Sequence, residues 1–291
     1  MSVRVVTDSA AGLPPEVITE LDICVLDLHV MDNAGAGGKE QSTSGLSALE
    51  LAAAYGRQME RSGDEGVLAI HLSKELSSTW SAAVTASGVF PDTVKVLDSE
   101  TAGMVMGAAA MAAARLAQDG ASLEECRSAA ADTLARGKTW VYLNSTEDLR
   151  RSGRMSAATA MLSTALLATK PIMSIADGKL ELVGRTRTQT KAFTKVVDLV
   201  ASRADGQPAF VAVQHNDAPA EAERLRHLLE LALAKGSSFM VVPLTEVLSV
   251  HAGPGAIGVS VVFSTPEPEE APAKPRLEFP SFGPLWHPPR P

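Results

Sequence analysis

The chain has 291 residues, 45% of them apolar, and 34 acidic against 26 basic side chains leave a formal charge of -8. Such a length suits two ordinary cores, and the acidic balance, with no Lys/Arg stripe to offset it, argues against a nucleic-acid partner. Cys24 and Cys126 stand far apart with neither a CxxC nor a histidine at metal spacing, so they read as reduced core thiols of a cytoplasmic protein, without a disulfide framework or a metal site.

In chain order, residues 3–6 read as a buried strand, followed by the polar loop Thr7-Asp8-Ser9 and a helix start at Pro14-Pro15-Glu16. The first residues lack an apolar stretch with a small-residue cleavage site, so no signal peptide is expected. Residues 23–30 read as a second strand, 35–38 as a glycine-rich loop and 46–59 as a helix. Strands at 67–72, 94–97 and 141–143 then alternate with helices at 79–89, 102–118 and 123–134, the pattern of a largely parallel sheet with helices on both faces. The small-residue run 102–117 carries Arg115 and is too short to span a bilayer, but it suits a helix packed closely on a sheet.

After residue 150 the pattern changes. Residues 171–175 and 180–183 flank Asp177-Gly178, a strong hairpin signal, and predict an antiparallel pair. A helix at 190–201, strand at 210–213, helix at 220–234 and strands at 239–242 and 257–263 complete a second, mixed α/β domain. The expected division is therefore 1–150, 151–264 and a tail, 265–291. That tail holds nine of the chain's 17 prolines and sustains neither helix nor sheet ladder.

Polar loops follow four of the predicted strands: Thr7-Asp8-Ser9, the stretch from Ser73 to Thr79, Asp98-Ser99, and Asn144-Ser145 leading to Arg150-Arg151-Ser152-Gly153-Arg154. In a doubly wound sheet such loops converge on one crevice at the carboxyl ends of the strands. Ser77-Ser78-Thr79 precedes a helix and has two readings, a cap or an anion site at free N–H groups; spacing alone favours the cap. Thr43-Ser44 has the same two readings. His251 precedes Ala252-Gly253-Pro254-Gly255, where a lone histidine is most often structural. Asp8, Asp98 and His251 with a serine would form a hydrolase-like set, yet no G-x-S-x-G elbow is present, and neither a P-loop nor a dinucleotide fingerprint is found.

Taken in order, Thr7-Asp8-Ser9, Thr43-Ser44, Leu76-Ser77-Ser78-Thr79-Trp80-Ser81-Ala82, Val96-Leu97-Asp98-Ser99, Gly153-Arg154, Lys170-Pro171-Ile172, Asp177-Gly178-Lys179, Arg185-Thr186-Arg187-Thr188 and His251-Ala252-Gly253-Pro254-Gly255 resemble the DegV family of fatty-acid-binding proteins. The resemblance covers residues 3 to about 263. It implies a two-domain α/β fold with a tunnel between the domains, and a long-chain fatty acid as ligand with its carboxylate near the domain interface. It also implies no catalysis by the chain itself: some members are the acyl-binding subunit of a bacterial fatty acid kinase and present the carboxylate to a separate ATP-binding subunit that makes acyl phosphate. By match to the motifs, the carboxylate-binding hydroxyls fall on Thr43 and Ser77 and the supporting histidine on His251, with Ser44, Ser78 and Thr79 as further ligand-binding residues. Arg154 falls near the ligand, and Arg150 and Arg151 form a local basic patch for the partner. The chain departs from the family pattern at Gly12, where Asp is common, at Gly45-Leu46 in place of Gln-Pro, at Ser78 in place of Gly, and in a short segment ahead of Thr43. An acyl hydrolase using Ser77 with His251, or a phosphotransferase acting on a lipid-like substrate, is the alternative.

Overall fold

The computed structural model describes residues 2–35, 38–154 and 169–265, so the expected tail beyond Thr265 lies outside the described residues. The chain opens on β1 (Arg4–Asp8), a 3-10 turn (Ser9–Ala11) and α1 (Pro15–Glu20), which starts at a proline that needs no partner for its missing N–H. Strand β2 (Cys24–Leu26) follows, then the hairpin β3 (His29–Gly35) and β4 (Gly38–Ser44). Here the expectation needs correction. The strand predicted over 23–30 divides at residues 27–28, and Gly35 and Gly38, predicted as a loop, pair with each other at the far end of the hairpin.

Helix α2 (Ala48–Ser62) is capped by Ser47, whose Oγ accepts from Glu50 N while Glu50 reaches back to Ser47 N at 2.8 Å, a reciprocal capping box. Thr43 and Ser44 are therefore not its caps; they end β4. Two further βα units follow, β5 (Val67–His71) with α3 (Thr79–Ser87) and β6 (Val94–Asp98) with α4 (Met104–Gln118), and then α5 (Leu123–Ala135), capped by a second box at Ser122 and Glu125. Strands β2, β1, β5 and β6 form a four-stranded parallel sheet in that order. All five residues of β5 are buried, as a central strand covered on both faces must be.

Strand β7 (Gly137–Tyr142) leaves this sheet. It pairs antiparallel with β8 (Lys170–Ala176) and β12 (Ile257–Phe263) in the second sheet, although the sequence pattern places it with the first. After β7 comes the one-turn α6 (Glu147–Arg151), and β8 turns into β9 (Lys179–Thr186) at Asp177 and Gly178, both at positive φ, 47° and 76°, as a tight hairpin turn requires. Then come α7 (Gln189–Ala204), β10 (Ala209–His215), α8 (Pro219–Ala232), β11 (Ser238–Pro243) and α9 (Glu246–Ala252). The six-stranded sheet runs β11-β10-β12-β7-β8-β9, and only β10 and β11 are parallel.

Phe193, Val196, Leu225 and Leu229 from α7 and α8 pack one face of this sheet with Val211, Val213, Val259 and Val261. Its other face meets the first domain: Ala212, Phe210 and Met240 join the core of the parallel sheet. Helix α4 lies at this junction, in contact with β1 and with β12, and nine of its 15 residues are buried. Its alanines and Gly107 permit the close approach; a Cβ on Gly107 would lie 2.8 Å from the Ala11 carbonyl.

Candidate ligand-binding site

Between the two sheets lies a cavity of about 120 Å³ to which 25 residues contribute wall. So large a perimeter for so small a volume describes a narrow slot. Leu28, Leu72 and Leu76 line it from the first domain, Val141, Leu143, Met173, Ile175 and Leu180 from the second sheet, and Leu244, Val247 and Leu248 from the segment that carries α9. Of the residues expected at a site, Thr43, Ser44, Ser77, Arg154 and His251 all reach its wall. Ser78 and Thr79 do not; they stand behind Ser77 at the start of α3, where Thr79 is wholly buried.

The hydroxyl end is built from three elements. Thr43, near the end of β4, places its Oγ1 2.8 Å from Nε2 of His251, on the last turn of α9. Burial, with the Arg154 guanidinium adding to it, pushes His251 down to about 4, so its ring is neutral at ordinary pH. Nδ1 is buried and has no hydrogen-bond partner among the described residues. An unpaired ring nitrogen is tolerated better there than an unpaired N–H, so the proton belongs on Nε2, which donates to Thr43 Oγ1. The Thr43 hydroxyl then keeps its own proton to donate.

Ser77 is prepared in the same way. Leu46 N–H donates to Thr79 Oγ1 at 3.3 Å, and Thr79 N–H donates to Ser77 Oγ at 3.2 Å. Among the described bonds Ser77 Oγ, 2.9 Å away, is the one acceptor within reach of the wholly buried Thr79 hydroxyl, so that hydroxyl donates to it and the Ser77 proton is left over. Gly45 makes this crowding possible: a Cβ there would lie 2.7 Å from Thr79 Oγ1 and 3.1 Å from Ser77 Oγ. Ser77 thus serves the first N–H of α3 and still has a donor to offer.

A second, polar pocket of about 510 Å³ adjoins this end and shares Thr43, Arg154 and His251 with the slot. Arg151 lines it, along with Asp148, Asp217 and Glu246. The expected basic patch is partly neutralised, because Arg151 lies 3.4 Å from both Glu147 and Asp148, while Arg150 is exposed on α6 and Arg154 donates to the Ser152 carbonyl.

The hydrolase-like set does not assemble. Asp8 is wholly buried and bound to His71, the Asp98 carboxylate accepts from Glu100 N at 2.9 Å beside Lys74, and His251 is engaged by Thr43 rather than by Ser77. Asp8 and His71 belong to a cluster that the sequence does not announce: Tyr55 Oη lies 2.9 Å from His71 Nε2, and His71 Nδ1 lies 2.9 Å from Asp8 Oδ2. Asp8 also accepts from Leu72 N and Ala10 N, each at 3.1 Å. Gln214 and Gly103, in the slot wall, were likewise not legible as site residues. Among the described residues no group of His, Cys, Asp and Glu is placed to hold a metal ion, and no helix is long and apolar enough to cross a membrane.

Fold and site together define a class: a two-sheet α/β protein enclosing an apolar slot that ends in hydroxyl donors and a neutral histidine. A family model described as "Uncharacterised protein, DegV family" matches residues 29–264, and the chain belongs to the DegV family. It is 57% identical to a DegV domain-containing protein of Corynebacterium glutamicum, over 92% of this chain and 97% of that one, and 37% identical to one from Mycobacterium tuberculosis, over 90% and 97%. The crystal structure of a C. glutamicum DegV family protein superposes with a TM-score of 0.88 at 57% identity, covering 92% of this chain and all of that one. A Thermus thermophilus DegV family protein described for its fatty acid binding gives 0.82 at 25% identity, over 90% and 100%. Bacillus subtilis DegV, described as a fatty acid binding protein, gives 0.80 at 27% identity, over 90% and 99%.

Proposed function

We propose that this chain binds a long-chain fatty acid in the slot, with the carboxylate held at Thr43 and Ser77, and presents it to an ATP-binding kinase subunit for conversion to acyl phosphate. The observation that carries the binding reading is the pair of leftover hydroxyl protons at one end of an apolar slot. Each buried methylene contributes about 0.8 kcal/mol, so an acyl chain gains on the order of 10 kcal/mol gross along such a wall. A buried carboxylate needs charge-assisted donors to offset its desolvation, and the two hydroxyls with Arg154 nearby supply them. The Thermus and Bacillus relatives, described as binding fatty acids, support the same reading. A hydrolase needs Ser77 activated by His251, and the Thr43 contact occupies that nitrogen instead.

Presentation rests on the polar pocket that shares Thr43, Arg154 and His251 with the slot, because Arg151, on α6 with the exposed Arg150, lines that pocket too. Lipid extracted from protein purified from a bacterial host and weighed by mass spectrometry is expected to contain one fatty acid per chain; an empty protein that takes up no added palmitate overturns the reading. With loaded protein and the ATP-binding subunit, acyl phosphate is expected to form, more slowly for Arg150→Ala with Arg151→Ala. Full-rate conversion by that double variant removes the two arginines from the interface.

A further inference from the structure

The turn between β8 and β9 reaches across to the first domain. Ser73, 1% exposed just past β5, donates from Oγ to the Gly178 carbonyl at 2.9 Å, and beside it Lys179 Nζ lies 3.4 Å from Glu75. A Cβ on Gly178 would overlap Ser73 Oγ, so the two surfaces meet without a gap. Ser73 also shapes the loop that carries Ser77. Its Oγ accepts from Glu75 N at 3.1 Å, and its carbonyl accepts from Leu76 N at 3.0 Å and from Ser77 N at 3.1 Å. One residue thus holds the turn that presents Leu76 and Ser77 to the slot and grips the tip of the hairpin opposite.

The hairpin is held unevenly along its length. Ile172 is wholly buried in the core of the second domain, and Met173 and Ser174 still pair with β7. Past Ser174 the only ladder partner of β8 is β9, the edge strand of the sheet. Between the Ile172–Gly184 and Met173–Leu182 pairs the register shifts by one residue and leaves Val183 over as a bulge, where a strand bends. The apolar side chains of the hairpin beyond that point join neither main core: Met173, Leu180 and Leu182 pack with Leu143, Leu149 and Ala256 in a small cluster of their own. Met173, Ile175 and Leu180 wall the slot. Among the described bonds, the tip is tied to the first domain by one buried hydrogen bond and one exposed ion pair, of which the exposed pair contributes little.

We infer that the tip of the β8–β9 hairpin is a flap over the acyl slot: it bends at the Val183 bulge, is latched by Ser73 to the loop that carries Ser77, and opens to let the fatty acid in and out. The inference rests on the fatty-acid reading and deepens it. A chain enclosed by close-packed walls leaves only where a wall parts, and this one parts at the cost of two polar contacts and a small apolar cluster. Because the latch and the Ser77 turn share Ser73, opening the flap loosens the hydroxyl end at the same time.

The test is exchange of bound palmitate for perdeuterated palmitate in the full-length chain, followed by mass spectrometry. Glu75→Cys with Lys179→Cys replaces the exposed pair by two accessible thiols, and neither residue lines the slot. Bridged by a bis-maleimide, this variant is expected to exchange about tenfold or more slowly than the same variant unbridged, as a closed flap requires. Ser73→Ala frees the latch and is expected to exchange about two- to tenfold faster than wild type, the scale of one net hydrogen bond. Lys179→Cys alone, treated with the same reagent, carries the native Cys24 and Cys126 and serves as the control. Exchange unaffected by the bridge or by loss of the Ser73 hydroxyl overturns this inference alone, as does equal slowing in the control, which would trace the effect to bulk rather than closure. Wild-type protein that takes up no palmitate overturns the fatty-acid reading itself.

Discussion

Two buried polar clusters in this molecule are each built around a histidine, and they differ in how completely their hydrogen bonds are used. In the first domain, burial and the neighbouring Asp8 hold the Tyr55 hydroxyl well above its usual range, so it keeps its proton and donates to His71. His71 in turn donates to Asp8, whose oxygens also receive two backbone N–H groups. Every strong group there has a partner. At the end of the slot, Thr43, Ser77 and His251 use only part of their capacity, and two hydroxyl protons remain. The same side-chain chemistry thus serves structure where it is saturated and readiness for a ligand where it is not.

The comparison breaks most visibly at Asp8. Asp8→Ala unpairs His71 and two amides at once and is expected to lower unfolding stability by about 3–5 kcal/mol, measured by denaturant titration. A cost as small as that of a surface substitution would show that this cluster does not hold the first domain together.

The next effect in size is on pH dependence. The His251 pKa is depressed in the folded chain, so the unfolded chain binds the proton more readily, and the stability tied to the neutral ring is present above about 6.5. It is lost as pH falls from about 6.5 toward about 4, up to about 3 kcal/mol in delipidated protein. His251→Gln should flatten that part of the pH–stability profile; an unaltered profile would mean that the ring is protonated at little cost.

Smaller still are the effects of Thr43→Ala and Ser77→Ala on affinity, about 1.5–3 kcal/mol each for a charge-assisted bond. Each should weaken palmitate binding about tenfold or more, with a milder loss of stability, as Ser77 also serves Thr79 N. Equal affinity with lower melting temperature would return both residues to a purely structural role.

Much of this arrangement was legible in the sequence, and the parts that were not have physical reasons. The βα alternation through α5 and the Asp177-Gly178 hairpin declare themselves by period and turn chemistry. Strand β7 has the apolar pattern of a strand in either sheet, and only its pairing with β8 and β12 decides its place. Helices α6 and α9 span five and seven residues, too short for a periodic signal, so His251 looked like a loop residue. Thr43 looked like a cap because a helix follows it closely, and Ser47 with Glu50 three residues on was the stronger cap signal. Thr43, Ser77 and His251 were joined only by family resemblance; from spacing alone, nothing brings residues 43 and 251 within 2.8 Å.

The central claim, a carboxylate received by donors left over in an incomplete cluster, is tested most directly with palmitate labelled with ¹³C at the carboxyl carbon. Bound to the wild-type chain, its carboxyl resonance is expected to stay at the carboxylate position as pH is lowered past the point where free fatty acid protonates, and to begin titrating earlier in Ser77→Ala. A bound carboxyl that titrates like free acid, identically in both proteins, would contradict the account.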